Sequence, residues 1–299
     1  MFSIVQKRRL YFLISAALII PGILIMLYSL ATTGSLLKLS IDFEGGSLYD
    51  VTFLESGADE SNIRDVFTEF GNSNPLIQRL GDLEANHWSI RAQFQEQAVT
   101  NQIVAALNEI APVDMGSIRV ETLSETVGQE ATQAAFLAVA AAAVVVTGFI
   151  VLAFRTVPKA LRYGICAIVA MLHDVLIVAG AMSLLGLLLG WEVDALFLTA
   201  VLTVVGFSIQ DTIVMFDRIR ENIPRHLGEP YEAIVNRSIL ETMHRSLATQ
   251  LNAFFIMVAI MLFGGDSIRQ FITILFIGLL TGTYSSIFIA VPLLVAWEK

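Results

Sequence analysis

Asp211 is the residue whose type and position in this chain most strongly indicate chemistry. It interrupts an apolar stretch from Val193 to Asn222, six residues before the charged pair Asp217-Arg218, which is expected to anchor the helix end. A carboxylate at the centre of a membrane helix costs at least about 2.5–3.5 kcal/mol, so it is rarely kept without a function. A helical rise of about 1.5 Å per residue puts Asp211 about 9 Å from Asp217, inside the hydrocarbon. Because burial favours the neutral carboxyl, Asp211 is predicted to bind and release a proton.

Arg245 is the predicted partner of this carboxylate. It begins the next apolar segment on the same side of the membrane, and its long side chain can extend toward Asp211. A carboxylate that alternates between an ion pair and a protonated form would act as a proton switch, because its charge alters helix packing. A static ion pair that only fixes helix register is the alternative. The neighbouring His244 is either a further titratable group or an ordinary interfacial residue.

A second polar pair, His173-Asp174, lies about 20 Å into the third apolar segment. Adjacent helical residues are rotated by about 100°, so both cannot face one partner. Asp174 is expected to face the other helices and to bind hydroxyls such as those of Ser208 or Thr203. It is a candidate member of the proton relay, although polar contacts that hold helices together explain it slightly better.

These residues need helices to position them, and the composition predicts membrane helices. Of 299 residues, 56% are hydrophobic and 15% are charged, against roughly 45–50% and about 25% in soluble proteins. Six segments approach or exceed the roughly 20 apolar residues that cross a bilayer. They are Leu10–Thr32, Ala131–Phe154, Ala160–Leu189, Ala195–Phe216, Leu247–Phe263 and Phe271–Trp297. The predicted class is therefore a polytopic α-helical membrane protein.

The charges predict how the chain is oriented. Residues 34–130 hold 16 acidic and 5 basic residues, whereas the rest of the chain holds 11 acidic and 13 basic. By the positive-inside rule, residues 1–9 and the C-terminus are cytoplasmic and residues 33–130 are exported. Residues 10–32 form the first span, which is expected to be an uncleaved anchor because it is longer than a signal peptide's apolar region. Residues 131–299 form a five-helix domain, with an amphipathic helix near 230–246 running into the fifth span.

The exported block has its own pattern of β-α-β-β-α-β, typical of the ferredoxin-like α+β fold. The predicted elements are a strand in Asp42–Phe53, a helix Ser61–Phe70 capped by Ser61, strands Leu76–Leu80 and Trp88–Phe94 around a turn at Gly81–His87, a helix Val99–Ile110 and a strand Ser117–Leu123. His87 is isolated, without metal-ligand spacing or a glycine-rich phosphate loop. No metal, cofactor or enzymatic activity is therefore predicted, and a binding or mechanical module is favoured.

Glycines mark expected close approaches. Gly186-x-x-x-Gly190 and Gly278-x-x-x-Gly282 have the spacing that lets membrane helices pack closely. Gly45 and Gly46 are expected to shape the base of the exported domain.

Two motifs resemble those of the SecF family. They are Asp42-Phe43-Glu44-Gly45-Gly46 and the segment from Gly206 to Asn222, which contains Asp211, Asp217 and Arg218. The resemblance covers essentially the whole chain, including the six spans and one exported domain. Departures are Phe207 and Gln210, where the family usually shows Tyr and Asn, and His244, where it shows a small polar residue.

This resemblance implies a function and partners. Members of the family work with SecD beside the SecYEG channel, with YajC as a further candidate partner, in the bacterial inner membrane. They assist an unfolded preprotein that leaves the channel, using the proton motive force, and nucleic acid has no part. The resemblance assigns the proton-relay Asp and Arg to Asp211 and Arg245, with Asp174 as a further candidate. It assigns structural roles to Asp42, Phe43, Gly45, Gly46, Gly206, Asp217 and Arg218.

Two other function classes are weighed. One is half of a proton-coupled exporter of small molecules or lipids, of the resistance-nodulation-division type that SecF resembles, which would need a partner half. The other is an intramembrane hydrolase using His173, Asp174 and Asp211, but the two carboxylates are expected at different depths, and no nucleophile has a base at a recognisable spacing.

Overall fold

The protein consists of two compact units. A computed structural model describes residues 4–72, 75–80, 86–155, 160–264 and 266–298. One unit is Leu39–Phe136, and the other combines Met1–Lys38 with Leu137–Lys299.

The helices and strands are as follows in chain order. The helices are α1 (Arg8–Thr33), α2 (Ile41–Glu44), α3 (Glu60–Glu69), α4 (Gln97–Ile110), α5 (Glu125–Ala153), α6 (Ala160–Leu189), α7 (Ala195–Arg225), α8 (Tyr231–Phe263), α9 (Asp266–Ser285) and α10 (Val291–Glu298). A 3₁₀ turn, Val5–Lys7, precedes α1, and a π-helical segment, Ser286–Ala290, joins α9 to α10. The strands are β1 (Gly46–Thr52), β2 (Leu76–Leu80), β3 (His87–Ala92) and β4 (Arg119–Leu123).

The prediction of six membrane-spanning segments is confirmed: six helical segments in the described part of the chain are long and apolar enough to cross a membrane. They are α1, α5, α6, α7, α8 and the run from α9 to α10. The third, fourth and sixth of these are the most buried, whereas α1, α5 and α8 expose most of their apolar surface. The molecule is therefore a multi-pass membrane protein with a central layer of α6, α7 and α9.

Two of these helices have ends that the sequence explains. The carboxylate Asp194 caps α7 by accepting a hydrogen bond from the backbone N–H of Phe197 at 2.7 Å. The amphipathic segment predicted near 230–246 and the fifth span are one continuous helix, α8, which starts after Pro230. The chain has neither glycine nor proline from Tyr231 to Phe263, so nothing interrupts the helix.

The Leu39–Phe136 unit contains a four-stranded antiparallel sheet with the order β2-β3-β1-β4. The strand β3 lies between β1 and β2, which is the split β-α-β arrangement predicted from the sequence. Its core joins sheet residues such as Tyr49 and Ile90 to helix residues such as Phe67 and Leu107. The two helices α3 and α4 thus cover one face of the sheet.

Two local predictions in this unit are wrong. The segment Ile41–Glu44 is a helical turn and not the start of a strand, because the Ser40 hydroxyl accepts the N–H of Asp42 and Gly45 ends the turn with φ +76°. The N-cap of α3 is Asp59 and not Ser61, since the Asp59 carboxylate accepts the N–H of Asn62 at 2.8 Å. The predicted turn at Gly81–His87 lies largely outside the described residues, and His87 begins β3.

Candidate functional site

The carboxyl of Asp211 lies inside the bundle, on the side of α7 that faces α8. Asp211 is 7% exposed. The side-chain amide of Gln250, on α8, donates a hydrogen bond from Nε2 to Asp211 Oδ2 at 2.8 Å. The hydroxyl of Ser246, one turn earlier on α8, lies beside the same carboxyl. In the described part of the chain, neutral groups hold this carboxyl, and no ion pair compensates its charge.

The expected ion pair between Arg245 and Asp211 is not formed in this structure. Among the described residues, the exposed Arg245 side chain makes no ion pair, whereas Asp211 is bonded to Gln250. Arg245 precedes Gln250 by five residues, so it lies about 7.5 Å closer to the charged end of α8. The neighbouring His244 is also exposed.

Arg245 lines a polar cavity between the ends of α7 and α8. The cavity has a volume of about 290 Å³ and is lined by Val214, Asp217, Arg218, Glu221, Glu241, Thr242 and Arg245. Val214 is three residues after Asp211, so it lies on the same face of α7, about 4.5 Å along the axis. The cavity therefore ends about one helical turn from the Asp211 carboxyl.

The wall of this cavity is held by ion pairs. The guanidinium of Arg218 donates to Glu241 on α8 and to Glu221 on its own helix, both at 2.7 Å. The amide of Asn222 donates to Glu241 at 2.8 Å, and Asp217 pairs with Arg220 at 2.7 Å. Arg218 thus ties α7 to α8, and its role as a membrane-boundary anchor stays a prediction.

A second polar cluster surrounds Asp174. Its Oδ2 accepts hydrogen bonds from the hydroxyls of Ser208 at 2.6 Å and Ser285 at 2.7 Å. Its Oδ1 lies 2.9 Å from His173 Nδ1, and His173 Nε2 lies 2.9 Å from the hydroxyl of Ser15. The predicted contact with Ser208 is confirmed, whereas the hydroxyl of Thr203 donates to the carbonyl of Thr199 instead. This cluster joins four helices: α1, α6, α7 and α9.

The order Ser15, His173, Asp174 has the hydrogen-bond pattern of a hydrolytic triad, which was not predicted. All three side chains are at most 6% exposed. A substrate bond could not reach the buried Ser15 hydroxyl in this conformation, and Asp174 also accepts hydrogen bonds from Ser208 and Ser285 of two other helices. The cluster is therefore suited to holding helices together.

Three members of these sites were missed in the sequence. Gln250 and Ser285 are polar residues within the fifth and sixth spans, so their position in apolar segments was an available signal. Ser15 is 158 residues from its partner His173, and no local pattern links them.

The glycine pair Gly45-Gly46 lies where the chain passes from the turn Ile41–Glu44 into β1. Both have positive φ, +76° and +121°. A Cβ on Gly45 would lie 2.7 Å from Glu125 Cα, and one on Gly128 would lie 2.7 Å from Gly45 N. Phe43 is buried beside them, and its carbonyl accepts a hydrogen bond from Thr132. The Asp42 segment and the start of α5 therefore pack backbone against backbone.

The other glycines divide into two groups. Gly278 and Gly282 let α9 approach Val204 and Ser208 of α7, as their spacing predicted. Gly190 instead ends α6 with φ +73°, and a Cβ on Gly186 would lie 3.0 Å from the carbonyl of Trp191. That pair therefore forms a helix end, contrary to the prediction that it packs two helices. A Cβ on Gly206 would meet no atom within 4 Å in the described part of the chain.

Comparison with known proteins places this architecture in one family. Residues 102–299 match the family described as protein export membrane protein SecD/SecF, C-terminal. The chain is 43% identical to a protein translocase subunit SecF of Anaerolinea thermophila, covering all of this chain and 95% of that protein. It is 34% identical to a protein translocase subunit SecF of Synechocystis, covering 96% of this chain and 91% of that protein.

Solved structures agree with this. The crystal structure of SecDF from Thermus thermophilus, a translocon-associated membrane protein, superposes with a TM-score of 0.78 at 30% identity, covering 99% of this chain. A second SecDF structure, in a super-membrane-facing form, gives a TM-score of 0.61. This chain spans 38% of the length of the first SecDF chain. The shared sequence, the six spans and the inserted α+β unit together show that the chain belongs to the SecF family of membrane proteins.

Proposed function

We propose that this protein is the SecF subunit of the bacterial preprotein translocase, and that with SecD it uses the proton motive force to assist protein export through SecYEG. The names of its relatives support the translocase assignment. The SecDF chain is more than twice as long as this one, which supports a SecD partner that supplies the remainder. YajC is a further candidate partner, and the translocating preprotein is the cargo.

The observation that carries the proposal is the Asp211 carboxyl, buried in a membrane-length helix and one turn from a polar cavity. A proton enters the cavity lined by Arg245 and Thr242 and reaches Asp211 along α7 and α8. Neutralising the carboxylate removes the charge that holds the Gln250 amide. The contact between α7 and α8 then changes, which moves α8 relative to its neighbours.

The cluster around Asp174 provides the fixed frame for this motion. Three hydrogen-bonding groups already satisfy the carboxyl of Asp174. We therefore assign the mobile proton to Asp211 and a helix-fixing role to Asp174. Arg245 lowers the energy of a negative charge near the cavity and approaches Asp211 in another conformation of the cycle.

The size of the driving force suits a conformational switch. One proton crossing about 100 mV supplies about 2.3 kcal/mol, which changes a two-state equilibrium by roughly fiftyfold. This is enough to bias the position of a helix and the exported domain connected to it. It is too little to unfold either unit, since folded domains are stable by about 5–15 kcal/mol.

The proposed location follows from the charge distribution. The protein lies in the bacterial inner membrane, with both termini cytoplasmic and residues 33–130 in the periplasm. The ends of α7 and α8 that line the cavity then face the cytoplasm. Half of a resistance-nodulation-division exporter remains the alternative function, but the relatives named above are translocase subunits.

Export into membrane vesicles that carry this chain and SecD tests the proposal. The Asp211→Asn variant should lose the increase in export that an imposed proton gradient produces, while the complex still assembles. The Arg245→Ala variant should lose it as well. The matched control is Asp65→Asn, which removes one exposed carboxylate from α3 and should behave as the unmodified protein. Normal gradient-stimulated export by Asp211→Asn would contradict the proposal.

A further inference from the structure

The Gln250 amide has one feature that its bond to Asp211 does not explain. Its Nε2 donates to Asp211 Oδ2 at 2.8 Å. Its Oε1 is buried and accepts no hydrogen bond within the described part of the chain. Gln250 is 3% exposed, so bulk water does not compensate for the missing donor. Leaving a buried acceptor without a partner is unfavourable, and such atoms are rare in folded proteins.

The two protonation states of Asp211 require opposite partners. An ionised carboxylate only accepts hydrogen bonds, whereas a protonated carboxyl also carries an O–H donor. A side-chain amide presents a donor and an acceptor that exchange places on a half-turn about its terminal bond. Gln250 can therefore donate from Nε2 to the ionised form and accept at Oε1 from the protonated form.

We propose that Gln250 is the positioning residue for proton binding at Asp211, and that its amide turns over when the carboxyl gains or loses a proton. This inference rests on the proposed function and adds a residue to it. In the conformation described, the amide is set for the ionised carboxylate. When Asp211 is protonated and the amide has turned over, Oε1, which here has no donor, accepts the hydrogen bond from the carboxyl O–H.

Among the described residues around Asp211, no charged group is placed to take over this role. Ser246, on α8, is a hydroxyl beside the same carboxyl. On α6, Asp174 is bonded to Ser208 and Ser285 and not to Asp211. Arg245 lies in the polar cavity. The Ser246 hydroxyl donates and accepts at one oxygen, whereas the Gln250 amide, bonded to Asp211 at 2.8 Å, carries its donor and its acceptor on two separate atoms.

The first test replaces the amide with a side chain of similar length that has neither donor nor acceptor, Gln250→Met. Gradient-stimulated export with SecD should fall by about tenfold or more, because a hydrogen bond to a charged group is lost. The control is Asn252→Leu, which removes an amide from an exposed position on the same helix and should leave export unchanged.

An infrared measurement separates positioning from a general effect on packing. The C=O band of protonated Asp211 is identified as the band that low pH produces and Asp211→Asn abolishes. In Gln250→Met this band should move to higher frequency, because the carboxyl has lost a hydrogen bond. In the unmodified protein with glutamine labelled at the side-chain carbonyl, an amide band should shift when Asp211 is protonated, and this shift should be absent from Asp211→Asn.

The outcomes distinguish this inference from the proposed function. If Asp211→Asn keeps gradient-stimulated export, the proposed function fails. If Asp211→Asn loses it but Gln250→Met keeps both normal export and an unshifted carboxyl band, the role of Gln250 is wrong. If Gln250→Met does not assemble, the labelled amide band decides: a pH-dependent shift supports the inference, and no shift overturns it.

Discussion

Replacing Gly45 with alanine should strongly destabilise the Leu39–Phe136 unit. The loss should exceed that at a glycine of the same unit where an added Cβ would have space. Gly45 has φ +76°, which costs an alanine about 1–2 kcal/mol. The new Cβ would also lie 2.7 Å from Glu125 Cα, a backbone atom that cannot rotate away. Such overpacking costs about 1–3 kcal/mol. The expected total loss is therefore about 2–5 kcal/mol of the free energy of unfolding.

Two other glycines separate these contributions. Gly71 has φ +85°, and an added Cβ would meet no atom within 4 Å in the described part of the chain, so Gly71→Ala should lose only the dihedral contribution, about 1–2 kcal/mol. Gly128 is helical, and its Cβ would lie 2.7 Å from Gly45 N. Gly128→Ala should therefore lose the packing contribution, partly offset by the higher helix propensity of alanine, about 1 kcal/mol.

These changes are measured by unfolding the full chain in detergent with urea. Susceptibility to proteolysis reports the unfolding of the Leu39–Phe136 unit. With a urea slope of about 1.5 kcal/mol/M, Gly45→Ala should lower the midpoint by about 1–3 M. Gly71→Ala should lower it by about 1 M. Equal midpoints for Gly45→Ala and Gly71→Ala would refute the claim that Gly45 is required by close backbone packing against α5.

Two further predictions concern a helix cap and a helix contact. Hydrogen bonds from Asn62 and Ser61 lower the pKa of Asp59, so its stabilisation of α3 is present above the ordinary carboxyl pKa and is lost as the pH falls through the lowered value. Asp59→Asn, which keeps an N-cap, should remove this part of the acid sensitivity, and an unchanged dependence of unfolding on pH below about 4 would contradict it. A Cβ on Gly180 would lie 2.7 Å from Gly22 Cα, so Gly180→Leu should separate α1 from α6 and cost about 1–3 kcal/mol. The control is Gly148→Leu, because a Cβ on Gly148 would meet no atom within 4 Å among the residues described. It should not lower the thermal stability in detergent, and equal loss by both variants would count against the contact.

The parts of the fold that depend on composition and local pattern could be predicted from the sequence. The six spans follow from apolar length, and the β-α-β-β-α-β order follows from periodicity and turns. The turn at Ile41–Glu44 was missed because Ile41 and Phe43 have high strand propensity, whereas the cap by Ser40 and the positive φ of Gly45 decide the local conformation. Strand propensity is a weak guide where a cap and a glycine act together.

The site could be predicted only where one residue is unusual by itself. Asp211 and Asp174 stand out as carboxylates in apolar helices. Which group meets Asp211 depends on the register between α7 and α8, and this register placed Gln250 opposite the carboxyl and Arg245 in the cavity. Asp211 and Gln250 are 39 residues apart in the sequence, so their contact depends on how α7 packs against α8, and no local sequence pattern specifies it.

Proton uptake into liposomes tests whether Asp211 carries protons for export. Liposomes containing this chain with SecD and a pH-sensitive dye inside would be given an imposed pH difference. Protons should enter with the unmodified protein and with Asp65→Asn, and entry should fall to the level of empty liposomes with Asp211→Asn. Proton entry through the Asp211→Asn complex at the unmodified rate would show that Asp211 does not carry the protons.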